Sequence, residues 1–306
     1  MRMHPFAPLP SAATPSPRPR TATTTTMHAA AGAAAPLPIT SDDLGYLPPT
    51  NQPLKTFGAH LRALLFFSWT LILAVPMFFL LMLPVFPFVW IWDRTHRTAE
   101  HVVNNIWAVM STLPFFWVEV RGRRNLPPPQ EAVMLVANHQ SFMDIYSLFH
   151  LGRFFKFVSK TSNFLIPIVG WSMYLTGHVG LKRTDKRSQM QVLKECRALL
   201  QAGCSLLFFP EGTRTRTGRM GSFKKGAFAI AAKEKVAVVP ITIDGAGPIM
   251  PNGREGEMWP GKVIITIHPP IRGGSDQELC DATQEAIASA LPEHLRPDPN
   301  ATEEEN

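Results

Sequence analysis

The order of apolar and polar positions divides the chain into unlike stretches. Residues 63–92 form one uncharged run, ALLFFSWTLILAVPMFFLLMLPVFPFVWIW, bounded by Arg62 and by Asp93 and Arg94. About 20 apolar residues cross a bilayer as a helix; this run is 30 residues long. Pro76, Pro84 and Pro87 each lack a backbone donor and favour kinks. The run is therefore expected either as one kinked span or as a hairpin dipping into one leaflet. Trp69, Trp90 and Trp92 suit anchoring at an interface. A buried helix of a soluble domain is the competing reading. From about residue 115 the pattern changes. FWVEV (116–120), AVMLVA (132–137), FFKFVS (154–159), SLLFF (205–209), VAVVPITI (236–243) and VIITIH (263–268) read as strands, and 142–150, 188–202, 223–235 and 276–290 as helices. Alternation of this kind predicts an α/β fold, a mixed sheet flanked by helices, joined to an N-terminal membrane-embedded helical segment. The expected boundaries are a disordered leader at 1–50, a membrane-associated helical region at 55–112, the α/β domain at 113–292 and a disordered tail at 293–306.

Composition sharpens this division. Charged residues make up 17% of the 306 positions, below the ~25% of ordinary soluble domains. The leader and the apolar run account for most of the deficit. Residues 1–41 contain no acidic residue and are rich in Ala, Pro, Ser and Thr. That is the composition of an organelle transit peptide; a low-complexity tail, with Met27 as an alternative start, is the other reading. Cys196, Cys204 and Cys280 are too few and too scattered for a disulfide framework or a metal site. The net charge of +7 is also uneven. Residues 153–235 carry sixteen Lys and Arg against four Asp and Glu. Such a segment suits an anionic ligand, whether a lipid headgroup or a nucleic acid. No aromatic RNA-binding signature accompanies it, so no nucleic-acid partner is expected.

Two motifs carry candidate chemistry. NHQSFMD (138–144) follows a strand and opens a helix, the junction at which α/β proteins place their sites. Ser141 and Asp144 have capping-box spacing, with Ser141 as N-cap and Asp144 reaching back toward the chain entry. His139 lies in that entry, where Asp144 can fix its tautomer and leave the other ring nitrogen to accept a proton. A merely structural cap is the alternative. FPEGTRTR (209–216) follows a second strand. Gly212 permits a tight turn, Thr213 presents a donor, and Arg214 offers a planar fork for phosphate. Glu211 could orient Arg214 or accept from a polyol hydroxyl. Lys160 and Arg183 stand where strand ends reach toward a common site.

Together these motifs, in this order and about 65 residues apart, resemble the glycerolipid acyltransferase family, and in particular its phosphatidate-forming branch. GHVGLKR (177–183) resembles the family's second block, with Lys182 where an acidic or polar residue is usual, and Val239, Pro240 and Ile241 resemble the fourth. The likeness covers about residues 55–275. It implies acyl transfer from acyl-CoA or acyl carrier protein to the sn-2 hydroxyl of 1-acyl-sn-glycerol 3-phosphate, with His139 as general base, oriented by Asp144, and no covalent acyl-enzyme. It further implies that Arg183, Glu211, Gly212, Thr213 and Arg214, with Lys160, hold the glycerol phosphate. Val239 and Pro240 would face the acyl chain. No metal or other cofactor is implied. The membrane would be that of a plastid or of the endoplasmic reticulum. A sibling glycerol-3-phosphate or lysophospholipid acyltransferase is the nearest alternative, and a non-enzymatic, membrane-anchored binder of anionic lipid the more distant one.

Overall fold

The computed structural model describes residues 57–182, 186–215 and 218–297. The expected leader, Arg183, and the tail beyond 297 lie outside the described residues. Seven strands form one sheet: β1 (Trp117–Arg121), β2 (Val133–Ala137), β3 (Lys156–Lys160), β4 (Val179–Leu181), β5 (Leu206–Phe208), β6 (Ala237–Asp244) and β7 (Lys262–Ile267). Their order is β1-β7-β6-β2-β5-β3-β4. From β6 to β4 all neighbours are parallel; β7 runs against β6, and β1 is parallel to β7. This is the mixed sheet that the alternating pattern predicts. Every residue of β2 and β6 is buried, as expected of parallel strands covered on both faces.

Helices supply the two covers. Val133, Leu135 and Ala137 pack with α3 (Thr98–Thr112), α4 (Met143–Leu148) and α8 (Ala246–Ile249). Met134 and Val136 pack on the other face, with α6 (Lys186–Gln201), α7 (Gly226–Glu234) and α9 (Asp276–Ser289). Period-two alternation thus feeds one strand into both cores. Residues 293–297, the described part of the expected tail, pack on the domain. Glu293–Leu295 form a 3-10 turn, Leu295 is buried, and its carbonyl accepts from the Met220 amide.

The apolar run is a single helix, Phe57–Trp92, of 36 residues, about 54 Å long at 1.5 Å per residue. It comprises α1 (Phe57–Met77), a π turn (Phe78–Met82) and α2 (Leu83–Trp92). No hairpin forms within the run. The π turn lies between Pro76 and Pro84, and such a turn absorbs a local break in hydrogen bonding without ending a helix. Reversal comes instead at residues 93–97, after which α3 packs back along α1. Trp107 Nε1 donates to the Thr70 carbonyl at 3.0 Å, and Trp69 Nε1 to the Met110 carbonyl at 3.0 Å. Ala59, Ala63, Phe66, Thr70 and Ala74 form the buried stripe of α1. Ala63 and Phe66 belong to the same core as the sheet. The remaining faces expose Leu64, Leu71, Ile72, Leu80, Ile91 and Trp92.

Both ends of this helix are tied to the α/β domain. At the start, the Ala59 carbonyl accepts from the Met258 amide at 3.1 Å. Beyond its end, Arg97 Nη1 donates to the Tyr174 and Leu175 carbonyls at 2.7 and 2.8 Å. Lys156 Nζ donates to Thr176 O at 3.0 Å and reaches His96 O at 3.4 Å. The two cations thereby cap the C-terminal end of α5 (Val169–Thr176), where free carbonyls favour positive charge. Gly177 follows with φ +77°, and a Cβ there would lie about 3 Å from both cationic groups.

Candidate active site

The two motifs meet because their strands are neighbours. β2 and β5 pair in parallel, with Val136 opposite Phe208. NHQSFMD leaves the end of β2 and FPEGTR the end of β5, so both loops rise from the same edge. Asn138 fixes the first loop. Its side chain donates to Ile243 O at 2.9 Å and accepts from Ile243 N at 2.8 Å, imitating a backbone pair beyond the last ladder rung. This role was invisible in the sequence, because it depends on β6 lying beside β2.

His139 follows. Its Nδ1 lies 2.8 Å from Asp144 Oδ2. That oxygen also accepts from the amides of Gln140 and Ser141, at 2.7 and 2.8 Å. In the tautomer with the proton on Nδ1, this oxygen takes a third donor and Nε2 keeps its lone pair. Asp144 is wholly buried, whereas the His139 side chain keeps 14% exposure, enough for contact with a ligand. The capping box differs in detail from expectation. Ser141 Oγ accepts from the Met143 amide rather than that of Asp144, and donates to Met250 O. Helix α4 begins at Met143 with Phe142 as its N-cap. The fold-back of Asp144 is nonetheless present, and it is what joins cap and imidazole.

The second loop grips the first. Glu211 Oε1 accepts from the His139 amide at 2.7 Å, and Oε2 from the Gly221 amide at 2.9 Å. Burial pushes its carboxyl up to about 8, against the lowering effect of both amides. The Phe209 ring stacks on the His139 ring with centroids 3.9 Å apart and planes 15° off parallel. Neither contact could be read from the chain, since each needs the two loops side by side. Gly212 turns at φ +81°, and a Cβ there would meet Lys224 Nζ at 2.9 Å. Thr213 is exposed. Arg214 is half-buried and pairs with Glu255 at 2.8 Å, while Asn252 Nδ2 donates to Arg214 O and Thr215 O at 3.1 Å. The 250–257 loop therefore shapes this side of the site, although it carries no motif. Lys160 is exposed at the C-terminal end of β3, two strands from β2.

Other sequence candidates fall elsewhere. Val239 and Pro240 are buried in mid-strand β6, opposite Leu135 and Val136, and Val239 is part of the main core. Their surroundings here are packing, with no open face. The basic segment is also not one ligand surface. Arg153 is buried and donates to Pro127 O and Ser205 Oγ, Lys156 caps α5, and Arg197 pairs with Glu234. Among the described residues no cluster of His, Cys, Asp or Glu is arranged to hold a metal ion.

Comparison with known proteins agrees with this arrangement. A family profile described as Acyltransferase matches residues 117–244, from β1 to the end of β6. A 1-acyl-sn-glycerol-3-phosphate acyltransferase of Chlamydomonas reinhardtii is 55% identical over 239 residues, covering 78% of this chain and 71% of that one. A chloroplastic 1-acyl-sn-glycerol-3-phosphate acyltransferase of Arabidopsis thaliana is 45% identical over 240 residues, covering 78% and 67%. The crystal structure of the 1-acyl-sn-glycerophosphate acyltransferase PlsC from Thermotoga maritima superposes with a TM-score of 0.62 at 30% identity, over 74% of this chain and 93% of that one. With the fold, the paired motif loops and relatives of this similarity and coverage in agreement, the chain belongs to the 1-acyl-sn-glycerol-3-phosphate acyltransferase family.

Proposed function

We propose that this protein transfers an acyl chain from a thioester donor to the free sn-2 hydroxyl of 1-acyl-sn-glycerol 3-phosphate, forming phosphatidate at a plastid membrane. The observation that carries the reading is Asp144 Oδ2 at 2.8 Å from His139 Nδ1, a contact that, with the proton on Nδ1, leaves Nε2 as an acceptor at a partly open surface. Nε2 takes the hydroxyl proton as the oxygen attacks the thioester carbonyl. The new C–O bond forms, the C–S bond breaks, and the imidazolium returns its proton to the departing thiolate. Asp144 stabilises the imidazolium between these steps. No covalent acyl-enzyme is needed. Arg214, Thr213 and the Gly212 turn receive the phosphate, with Lys160 and Arg183 as further cations. Glu211 has both oxygens committed to backbone amides. Its part is to hold the His139 loop against the phosphate-binding loop, in place of the direct substrate contact that the family likeness implies. Acyl-CoA and acyl carrier protein both satisfy this chemistry as donors.

The contacts around the helix ends support a membrane seat. A helix that crosses a bilayer delivers its ends to opposite faces. Ala59 near the start of Phe57–Trp92 and His96 and Arg97 just past its end contact one α/β domain, which supports a long helix lying within a single leaflet with its apolar face in lipid. The chloroplastic relatives favour the plastid over the endoplasmic reticulum.

The test is an acceptor panel of lysophosphatidate, glycerol 3-phosphate and lysophosphatidylcholine, each with both donors. Lysophosphatidate is the expected acceptor, and His139→Ala is expected to lower its rate by about 10²–10⁴-fold. Preference for glycerol 3-phosphate would transfer the protein to the sibling activity. A fully active His139→Ala enzyme would remove the mechanism.

A further inference from the structure

The crossover from β3 to β4 is a second apolar surface. Residues 161–177, TSNFLIPIVGWSMYLTG, contain no Asp, Glu, Lys or Arg. In a soluble domain such a stretch turns inward. Here much of it faces out: Leu165 is 78% exposed and Tyr174 62%, with Ile166, Val169 and Trp171 also exposed. The segment is not loose. Arg97 and Lys156 hold its last carbonyls, and the Gly170 amide donates to Ile166 O at 2.7 Å. A rigid, outward apolar surface needs a partner.

Two observations name that partner. The first is continuity with the long helix. The Trp171 ring lies 5.9 Å from the ring of Phe78 in the π turn, and Ile168, Val169 and Ser172 share a cleft with Met77, Phe78 and Met82. Whatever solvates the exposed face of the helix therefore meets this segment too. The second is charge. Lys160 and Lys182, both exposed, bracket the crossover, and the register of Lys160 opposite Leu181 sets them together at the C-terminal edge of the sheet. Cations at the rim of an apolar, aromatic surface suit a bilayer containing anionic lipid.

We propose that residues 164–174 form a second membrane-contacting element, which inserts Leu165, Ile166, Trp171 and Tyr174 into the leaflet that holds the long helix, with Lys160 and Lys182 at the headgroups. The proposal rests on the membrane seat argued above and extends it to the sheet edge from which both motif loops rise. The natural cysteines are all buried, so Leu165→Cys offers a selective site for an environment-sensitive fluorophore, and Gln277→Cys, exposed on α9, serves as control. On vesicles of phosphatidylcholine with a minority of phosphatidylglycerol, the label at position 165 is expected to shift to the blue and to be quenched by brominated chains. The label at 277 is expected to stay unchanged. The double variant Leu165→Asp/Tyr174→Asp is expected to need about tenfold more lipid for half-maximal vesicle binding. It should keep its rate on detergent-solubilised lysophosphatidate. Failure of the unaltered protein to sediment with vesicles would overturn the membrane seat and this element with it. Sedimentation with a water-exposed label at 165, or equal vesicle binding by the double variant, would overturn this element alone.

Discussion

Glu211 separates two ideas of what the FPEGTR loop does. A carboxylate that bound a glycerol hydroxyl would, on loss, raise the acceptor KM. A carboxyl that holds the His139 amide acts on the position of His139. Glu211→Gln replaces one acceptor by a donor facing an amide, so one of the two clamps is lost. Its kcat is expected to fall about 10- to 100-fold with the lysophosphatidate KM within about twofold; steady-state kinetics decide, and a large KM rise at constant kcat would restore the substrate-contact role. Phe209 belongs to the same logic. Its ring lies flat on the imidazole and limits the ring planes His139 can adopt. The sequence supplied the residue types at this scale, and the spacing of His139 and Asp144 was itself suggestive. The contacts of Glu211 and Phe209 were not legible, because both partners lie about 70 residues away.

Elements explain why the site has the shape it does. The β2–β5 pairing brings the motif loops together, and the Asn138–Ile243 pair ties the first of them to β6. Asn138→Ala leaves the Ile243 amide and carbonyl buried without partners. The expected cost is about 2–4 kcal/mol, read as a lower urea midpoint at unchanged m-value; a loss of activity with an unshifted midpoint would reassign Asn138 to the reaction itself. Six of the seven strands were legible within one or two residues, since each is written as a short apolar run. The three-residue β4 was not, because its burial comes from packing against α6 rather than from any run of its own. The continuity of Phe57–Trp92 was one of two readings the sequence left open. Three prolines argue for a break, yet the π turn lies between Pro76 and Pro84 and Pro87 sits within α2.

At the scale of the molecule, burial sets how stability responds to pH. Burial, aided by Lys156 and Arg97, pulls His178 down to about 3, and burial with Arg123 beside it pulls His150 down to about 4. Both sit below the ordinary histidine value in the folded state. The unfolded chain therefore takes up protons that the native one refuses. Their contribution to stability is intact above pH ~6.5 and is lost as pH falls toward the folded values. The thermal midpoint in detergent is expected to fall steadily over that range. His178→Gln keeps an acceptor for the Phe157 amide and should flatten the fall; parallel curves for variant and parent would show that His178 does not govern it. The same view of the whole molecule changes the meaning of the basic segment. Arg153, Lys156 and Arg197 are structural, so the ligand-facing charge is narrower than the +12 balance suggests.

The sequence by itself determined the α/β class, the order of six of the seven strands along the chain, the apolar run and the His139–Asp144 unit. Each depends on residues that are close together, where periodicity and spacing carry the information. Tertiary structure decided which strand lies beside which, and through that the grip of Glu211 and Phe209 on His139, the Glu255 partner of Arg214 and the docking of both helix ends on one domain. Those contacts join positions between 41 and more than 150 residues apart. No local pattern encodes such pairs, because they arise from the register of the sheet and from the burial that closes it.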